Sequence, residues 1–210
     1  YVPIGNIVKR VSCMSIPPSP SRRPTAADRI RQSARDLFYR QGIRAVGVEE
    51  IVQNAGVTKP SLYRAFHSKD GLATAFLADY QDCFWDRIAL VRAAHPEDPR
   101  AQLLAYFDGL AERSAAPDYR GCALTNAILD YPDRTHPVRQ EAARLKHQVR
   151  DWLVERAHQM GATDPDQLAD GLILLMEGAY VVGQAFPPPG PAARVGDCAR
   201  LLIEAQCGPR

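Results

Sequence analysis

The chain has 210 residues, 46 % of them hydrophobic and 24 % charged, with a formal net charge of +2. This balance fits a globular protein of one large or two small domains and excludes a fibrous or wholly disordered chain. The longest apolar run, Leu172 to Met176, is too short to cross a bilayer, and the N-terminus lacks the hydrophobic stretch of a signal peptide. A cytoplasmic protein without a membrane partner is expected.

The charge is unevenly placed. Residues 1–70 hold 12 Lys+Arg against 5 Asp+Glu, a surplus of +7, and residues 71–210 hold 14 against 19, a balance of −5. A basic N-terminal third suits a surface that meets phosphate. The five cysteines, Cys13, Cys83, Cys122, Cys198 and Cys207, form no CxxC pair, and none has a cationic neighbour in an activating motif. Reduced, structural thiols are expected.

Residues 1–24 read as a disordered arm. Ile16 to Pro24 is rich in proline and serine, and Arg22 and Arg23 could reach a minor groove. Met14 precedes this linker, so residues 1–13 are expected to be an upstream segment. A first helix follows, with Thr25 and Asp28 spaced as a capping box, Ile30, Ala34, Leu37 and Phe38 as its apolar stripe, and Gly42 as its stop.

The most specific stretch is Val48 to Leu72, VEEIVQNAGVTKPSLYRAFHSKDGL. Val48 to Asn54 reads as a short helix with Ile51, Val52 and Ala55 on one face. Gly56 permits the left-handed conformation that turns the chain. Thr58 is placed to cap the next helix through its hydroxyl, with Pro60 in the first turn. Leu62 and Phe66 point inward, leaving Lys59, Ser61, Tyr63 and Arg64 on the outer face. Those groups contact phosphates and base edges. Ser68 caps a further helix whose positive N-terminus holds Lys69, a phosphate clamp. Two short helices about a tight turn make a helix-turn-helix.

Helix then follows helix: about Ser68–Ala94, Pro99–Ser114, Cys122–Leu129, Pro137–Met160, a segment begun by Asp164 and running to Ala185, and Ala192–Gln206. No strand is expected. The last two are apolar over much of their surface, and Gly171, Gly178 and Gly183 suggest close helix approach at a dimer interface.

IVQNAGVTKPSLYRAFHSKDGL resembles the signature of the TetR family of transcriptional regulators, over about Ala27 to Leu77. The resemblance implies an all-α dimer. Residues 25–70 would form a three-helix DNA-binding domain, and residues 71–210 a larger helical domain for effector binding and dimerisation. Two positions depart from the family pattern. Val52 replaces the usual alanine at the helix–helix contact, and Gly47 replaces a capping threonine or serine.

The resulting expectation is a repressor that binds double-stranded DNA at an inverted-repeat operator and leaves it when a small molecule binds. Thr58, Lys59, Pro60, Ser61 and Arg64 would meet base edges, and Tyr63, His67 and Lys69 phosphates. Phe84, Phe107, Asn126, Trp152, Glu177, Tyr180 and Gln184 are the candidates for the effector site, being partly aromatic and partly polar. Glu177 sits in the apolar run LILLMEGAYVV and needs a partner there. No catalytic residue, cofactor or metal is expected. GVTKPS lacks the spacing of a phosphate loop, there is no HExxH or GxSxG, and the five histidines form no cluster with cysteine. His147 and His158, eleven apart on one helix, read as solvated or core residues. A constitutive DNA binder and a helical enzyme stay open as alternatives.

Overall fold

The computed structural model describes residues 23–209. Most of the arm expected over residues 1–24, Arg22 and Cys13 included, lies outside the described residues; Arg23 and Pro24 are exposed. The described residues form nine α-helices, one 3₁₀ turn and no strand: α1 Ala26–Gln41, α2 Val48–Ala55, α3 Lys59–Phe66, α4 Lys69–Ala94, α5 Pro99–Ser114, α6 Ala123–Asp130, α7 Pro137–Gln159, α8 Pro165–Ala185, the 3₁₀ turn Pro191–Arg194, and α9 Val195–Cys207. The expected last helix therefore starts later than Ala192. The 3₁₀ turn lacks a side-chain cap, and Arg194 (φ −94°, ψ 2°) leaves helical geometry before α9 begins.

Two compact units divide these helices. Of the described residues, one takes 23–83 and 123–145, the other 84–122 and 146–209. α4 and α7 each contribute residues to both.

In the first unit, α1 begins with the expected box. The Asp28 N–H donates to the Thr25 hydroxyl at 3.2 Å, and the Thr25 N–H donates to the Asp28 carboxylate at 2.8 Å. Ile30, Ala34 and Phe38 are buried from α1, joined by Ser33 rather than by the half-buried Leu37. Phe38 meets Phe76 of α4 edge-to-face, ring centroids 5.6 Å apart. The loop after α1 is fastened to the end of α6: the Ile43 N–H donates to the Asp130 carboxylate at 3.2 Å, and the Arg44 guanidinium to the Asp130 carbonyl at 3.1 Å. Arg139 of α7 donates to the carbonyls of Ile128 and Tyr131.

The second unit is built on large apolar side chains. Leu103, Tyr106, Phe107 and Leu110 of α5, Leu153 of α7, and Leu168 and Leu172 of α8 are buried. α9 packs on α5 and α8. Gly171 lets α8 and α9 approach, because a Cβ there would lie 2.6 Å from Leu202.

Candidate nucleic-acid interface and effector residues

The helix-turn-helix is set by its apolar side. Ile51, Val52 and Ala55 of α2 and Leu62 of α3 are buried against α1. Gly56 closes α2 in the left-handed region (φ 61°, ψ 42°), and its N–H reaches the carbonyls of Val52 and Gln53. Val57 continues the turn, its N–H donating to Val52 at 3.0 Å. α1 secures the C-terminal end of α2 by contacts that periodicity does not reveal. The Arg29 guanidinium donates to the Gly56 carbonyl at 3.1 Å. The buried Ser33 hydroxyl donates to the Ile51 carbonyl at 2.9 Å and accepts from the Asn54 amide at 3.0 Å. These bonds satisfy helix-end carbonyls that would otherwise lack donors. Val52 fits the interface, 6 % exposed.

α3 presents the opposite side to solvent. Thr58, Lys59, Pro60, Tyr63 and Arg64 are exposed or nearly so, and Ser61 is half-buried. Thr58 is the N-cap residue, but its side chain makes no capping bond; the expectation of a hydroxyl cap is corrected. That hydroxyl instead lies 3.0 Å from the Ser61 hydroxyl, while the Ser61 N–H uses the Thr58 carbonyl. The reason is local competition: a hydroxyl three residues on offers an alternative partner. Lys59 pairs with Glu49 of α2 at 3.2 Å, both side chains about half or more exposed. Phe66, expected to point inward, is half-buried.

His67 ends α3 at φ 63°, ψ −36°, its N–H bonded to the Tyr63 carbonyl. A positive φ is costly for a residue with a Cβ. The Ser68 hydroxyl caps α4 as expected, accepting from the Gly71 N–H at 2.9 Å. Lys69 is half-buried and already occupied: its ammonium donates to the Arg44 carbonyl at 3.2 Å. Burial lowers its pKa from 10.5; nearby Arg44 adds to this, while Asp70 and Asp130 oppose it. So Lys69 braces the start of α4 against the loop after α1, a role the sequence does not announce.

The family model "Bacterial regulatory proteins, tetR family" matches residues 30–76, and "Tetracyclin repressor-like, C-terminal domain" matches residues 99–197. A crystal structure of a TetR-family regulator from Streptomyces coelicolor superposes with a TM-score of 0.81 at 28 % identity, over 88 % of this chain and 96 % of that one. A TetR regulator from Streptomyces avermitilis is 30 % identical over 87 % of this chain and 98 % of its own, with a TM-score of 0.70. This chain belongs to the TetR family of transcriptional regulators. Among curated proteins, the repressor KstR2 of Mycolicibacterium smegmatis is 29 % identical over 102 residues, 47 % of this chain and 50 % of KstR2. The repressor ComR of Escherichia coli is 26 % identical over 64 % of this chain and 67 % of its own length. The matched part of the chain thus spans about half of KstR2 and two thirds of ComR. TetR membership makes the chain a DNA-binding transcriptional regulator, with α1–α3 inside or overlapping the matched N-terminal segment.

The effector candidates of this TetR chain are split between the units. Asn126 is half-buried on α6 of the first unit, which also holds residues 30–76 matched by the N-terminal family model. The others belong to the second unit. Phe84, Phe107, Trp152 and Tyr180 are all buried. Phe84 packs edge-to-face on Tyr106 (5.5 Å) and Trp152 (5.9 Å), and the Tyr180 hydroxyl lies 3.5 Å from that of Tyr106. Tyr106 is thus the centre of the ring cluster, although an aromatic embedded in a helical core pattern gives no signal of that. Gln184 donates to the Tyr180 carbonyl, four residues back on its own helix.

Glu177 has the partner it needs: it is hydrogen-bonded to Lys146, whose ammonium also sits 5.1 Å over the Tyr180 ring. Burial pulls the Lys146 pKa down, but Cys122 and Glu177 outweigh it and hold the ammonium above its ordinary 10.5. Cys122 therefore does have a lysine beside it, brought from 24 positions along the chain. His147 and His158 are exposed.

Proposed function

We propose that this TetR-family regulator is a homodimeric repressor that binds an inverted-repeat operator and releases it when a small organic effector occupies the second unit. The observation that carries the DNA-reading part is the exposed face of α3. Lys59, Pro60, Tyr63 and Arg64 face outward while Leu62 anchors the helix in the core. In this reading Thr58, Lys59, Pro60, Ser61 and Arg64 approach base edges, and Tyr63, His67 and Lys69 approach phosphates. Lys69 can do so because an ammonium has three donors and the Arg44 carbonyl takes one. Repression is supported by the relatives named as repressors.

The two-fold assembly is supported by α8 and α9. An 18-residue window of α8 has a mean hydropathy of 1.2, yet only 28 % of it is buried. Leu174 and Val181 of α8 and Leu201 of α9 are 73 %, 56 % and 67 % exposed. Gly178 lies between the first two, with nothing within 4 Å of where its Cβ would be. The other two glycines expected there act inside the chain instead: Gly171 admits Leu202, and Gly183 packs against Ser114 and Tyr119. A stripe this apolar calls for cover, and a second copy gives the paired recognition helices that a palindromic site requires.

An effector changes DNA affinity only through unequal affinity for the two states of the dimer. α4 and α7, which supply residues to both units, are the elements that would carry that difference.

Binding of short duplexes by alanine variants tests the DNA-reading part. Arg64→Ala and Lys59→Ala should lose about 1–3 kcal/mol of preference for operator over random DNA where the side chain reads a base. Lys69→Ala should weaken all duplexes alike and lower the salt dependence by about one ion. Unchanged sequence preference in both α3 variants would refute the assignment.

A further inference from the structure

A layer of buried polar side chains in the second unit has no part in DNA reading. Arg87 on α4, Gln102 on α5 and Arg156 on α7 are 6 %, 4 % and 7 % exposed. Each stands one helical turn from a ring of the buried cluster: Arg87 three residues after Phe84, Gln102 four before Tyr106, Arg156 four after Trp152. Residues at these spacings share a helix face. The three rings pack on one another, with centroids 5.5, 5.9 and 6.3 Å apart.

The polar layer lies at the end of the unit where α4 turns into α5. The Gln102 amide donates to the His95 carbonyl in that turn at 2.8 Å. Arg100 reaches the Gly208 carbonyl, and Thr163, just past α7, bonds Gln206, so the far end of α7 is at the same place. Each of these polar side chains thus lies one helical turn nearer that end than a ring of the aromatic cluster.

Arg156 meets one carboxylate, Glu155, whose side chain is 61 % exposed. The Arg156 Nε–H and the Trp152 Nε1–H are buried without an acceptor, one turn apart on one helix, and the Gln102 carbonyl oxygen is buried without a donor. Buried N–H groups are nearly always satisfied, so two adjacent orphans need a physical reason. A guanidinium and an indole N–H together suit a carboxylate, which takes several N–H donors at once.

We propose that this layer recognises the carboxylate of an aromatic organic acid, whose apolar body lies along the Phe84–Tyr106–Trp152 rings. The inference rests on the proposed effector role of the second unit and names the chemical class of the effector. Trp152 and Arg156 hold the carboxylate. Gln102 accepts from a hydroxyl or N–H of the same ligand.

The test uses the full chain and two matched pairs of probes, 2-naphthoate with 2-naphthamide and benzoate with benzamide. Binding is read from thermal melting and from tryptophan emission, since Trp152 is one of two tryptophans. At least one acid should bind tenfold or more tighter than its amide. Arg156→Met should abolish that preference, and Trp152→Phe, which keeps a ring in place, should reduce it severalfold. Acids that bind no better than their amides overturn the proposal, as does a preference unchanged in Trp152→Phe and in any folded Arg156→Met. Operator release is followed in the same titrations. An acid that binds with the expected preference but leaves the operator occupied sinks the effector reading and spares the site. Release by a neutral probe that does not depend on Arg156 or Trp152 sinks the site and spares the reading.

Discussion

Gly47 leaves the first helix of the helix-turn-helix without a side-chain cap. It is the N-cap of α2 at φ −84°, ψ 154°, with no side-chain capping bond and nothing within 4 Å of where a Cβ would stand. Any residue adopts that backbone, so a serine enters without strain, and its hydroxyl can accept from the first turn. Gly47→Ser should raise stability by a few tenths of a kcal/mol, measured by denaturant unfolding. A lower unfolding midpoint would contradict the capping argument.

At the scale of elements, α7 meets α8 through Lys146 and Glu177 and, nearer the solvent, through Arg150 with Asp166 and Asp170. The Lys146 and Glu177 side chains are 19 % and 30 % exposed, so the pair lies between a surface salt bridge and a fully buried one. Glu177→Ala should cost about 1–3 kcal/mol, less than a wholly buried pair, because water still screens the ammonium that is left. The pH dependence has a definite sign. The Lys146 pKa is raised in the folded state, so its stabilising contribution is fully present below 10.5 and is lost as pH rises through the raised value. Unfolding of wild type and variant should therefore converge on the alkaline side of 10.5. A constant gap would place the stabilisation elsewhere.

α2, its glycine turn and α3 are readable in the sequence because each end has its own local signal: Gly56 after α2, Pro60 at the start of α3 and Ser68 after it. α5 is legible from Pro99 for a related reason, with Asp98 capping it. Interactions between distant residues are not legible. Nothing near Ser33 or Arg29 says that they hold the end of α2, and nothing near Lys69 says that it bonds Arg44. The Cys122–Lys146 contact escapes notice because the sequence neighbours of Cys122 include no lysine. Polar or aromatic interruptions of apolar faces point to Phe84 and Trp152. They do not point to Arg87, Gln102 and Arg156, whose burial depends on packing that periodicity does not encode.

At the scale of the whole molecule, the proposed function requires two copies that present α3 to one duplex. Leu174 and Leu201 are the most exposed large apolar groups on α8 and α9, and charge at their positions should be incompatible with cover by a second copy. Leu174→Asp with Leu201→Asp should give a folded monomer by light scattering, since neither side chain is needed in the subunit core. The same variant should lose most operator affinity while keeping weak nonspecific binding, because single half-sites are still read. A double variant that remains dimeric would place the interface on another surface.

The most direct measurement is selection of bound sequences from a random DNA pool by the wild-type chain. Two copies of α3 should enrich an inverted repeat, one half read by each, with the enriched bases altered in Arg64→Ala. No enrichment, or enrichment of a single unpaired site that is the same in Arg64→Ala, would contradict this reading.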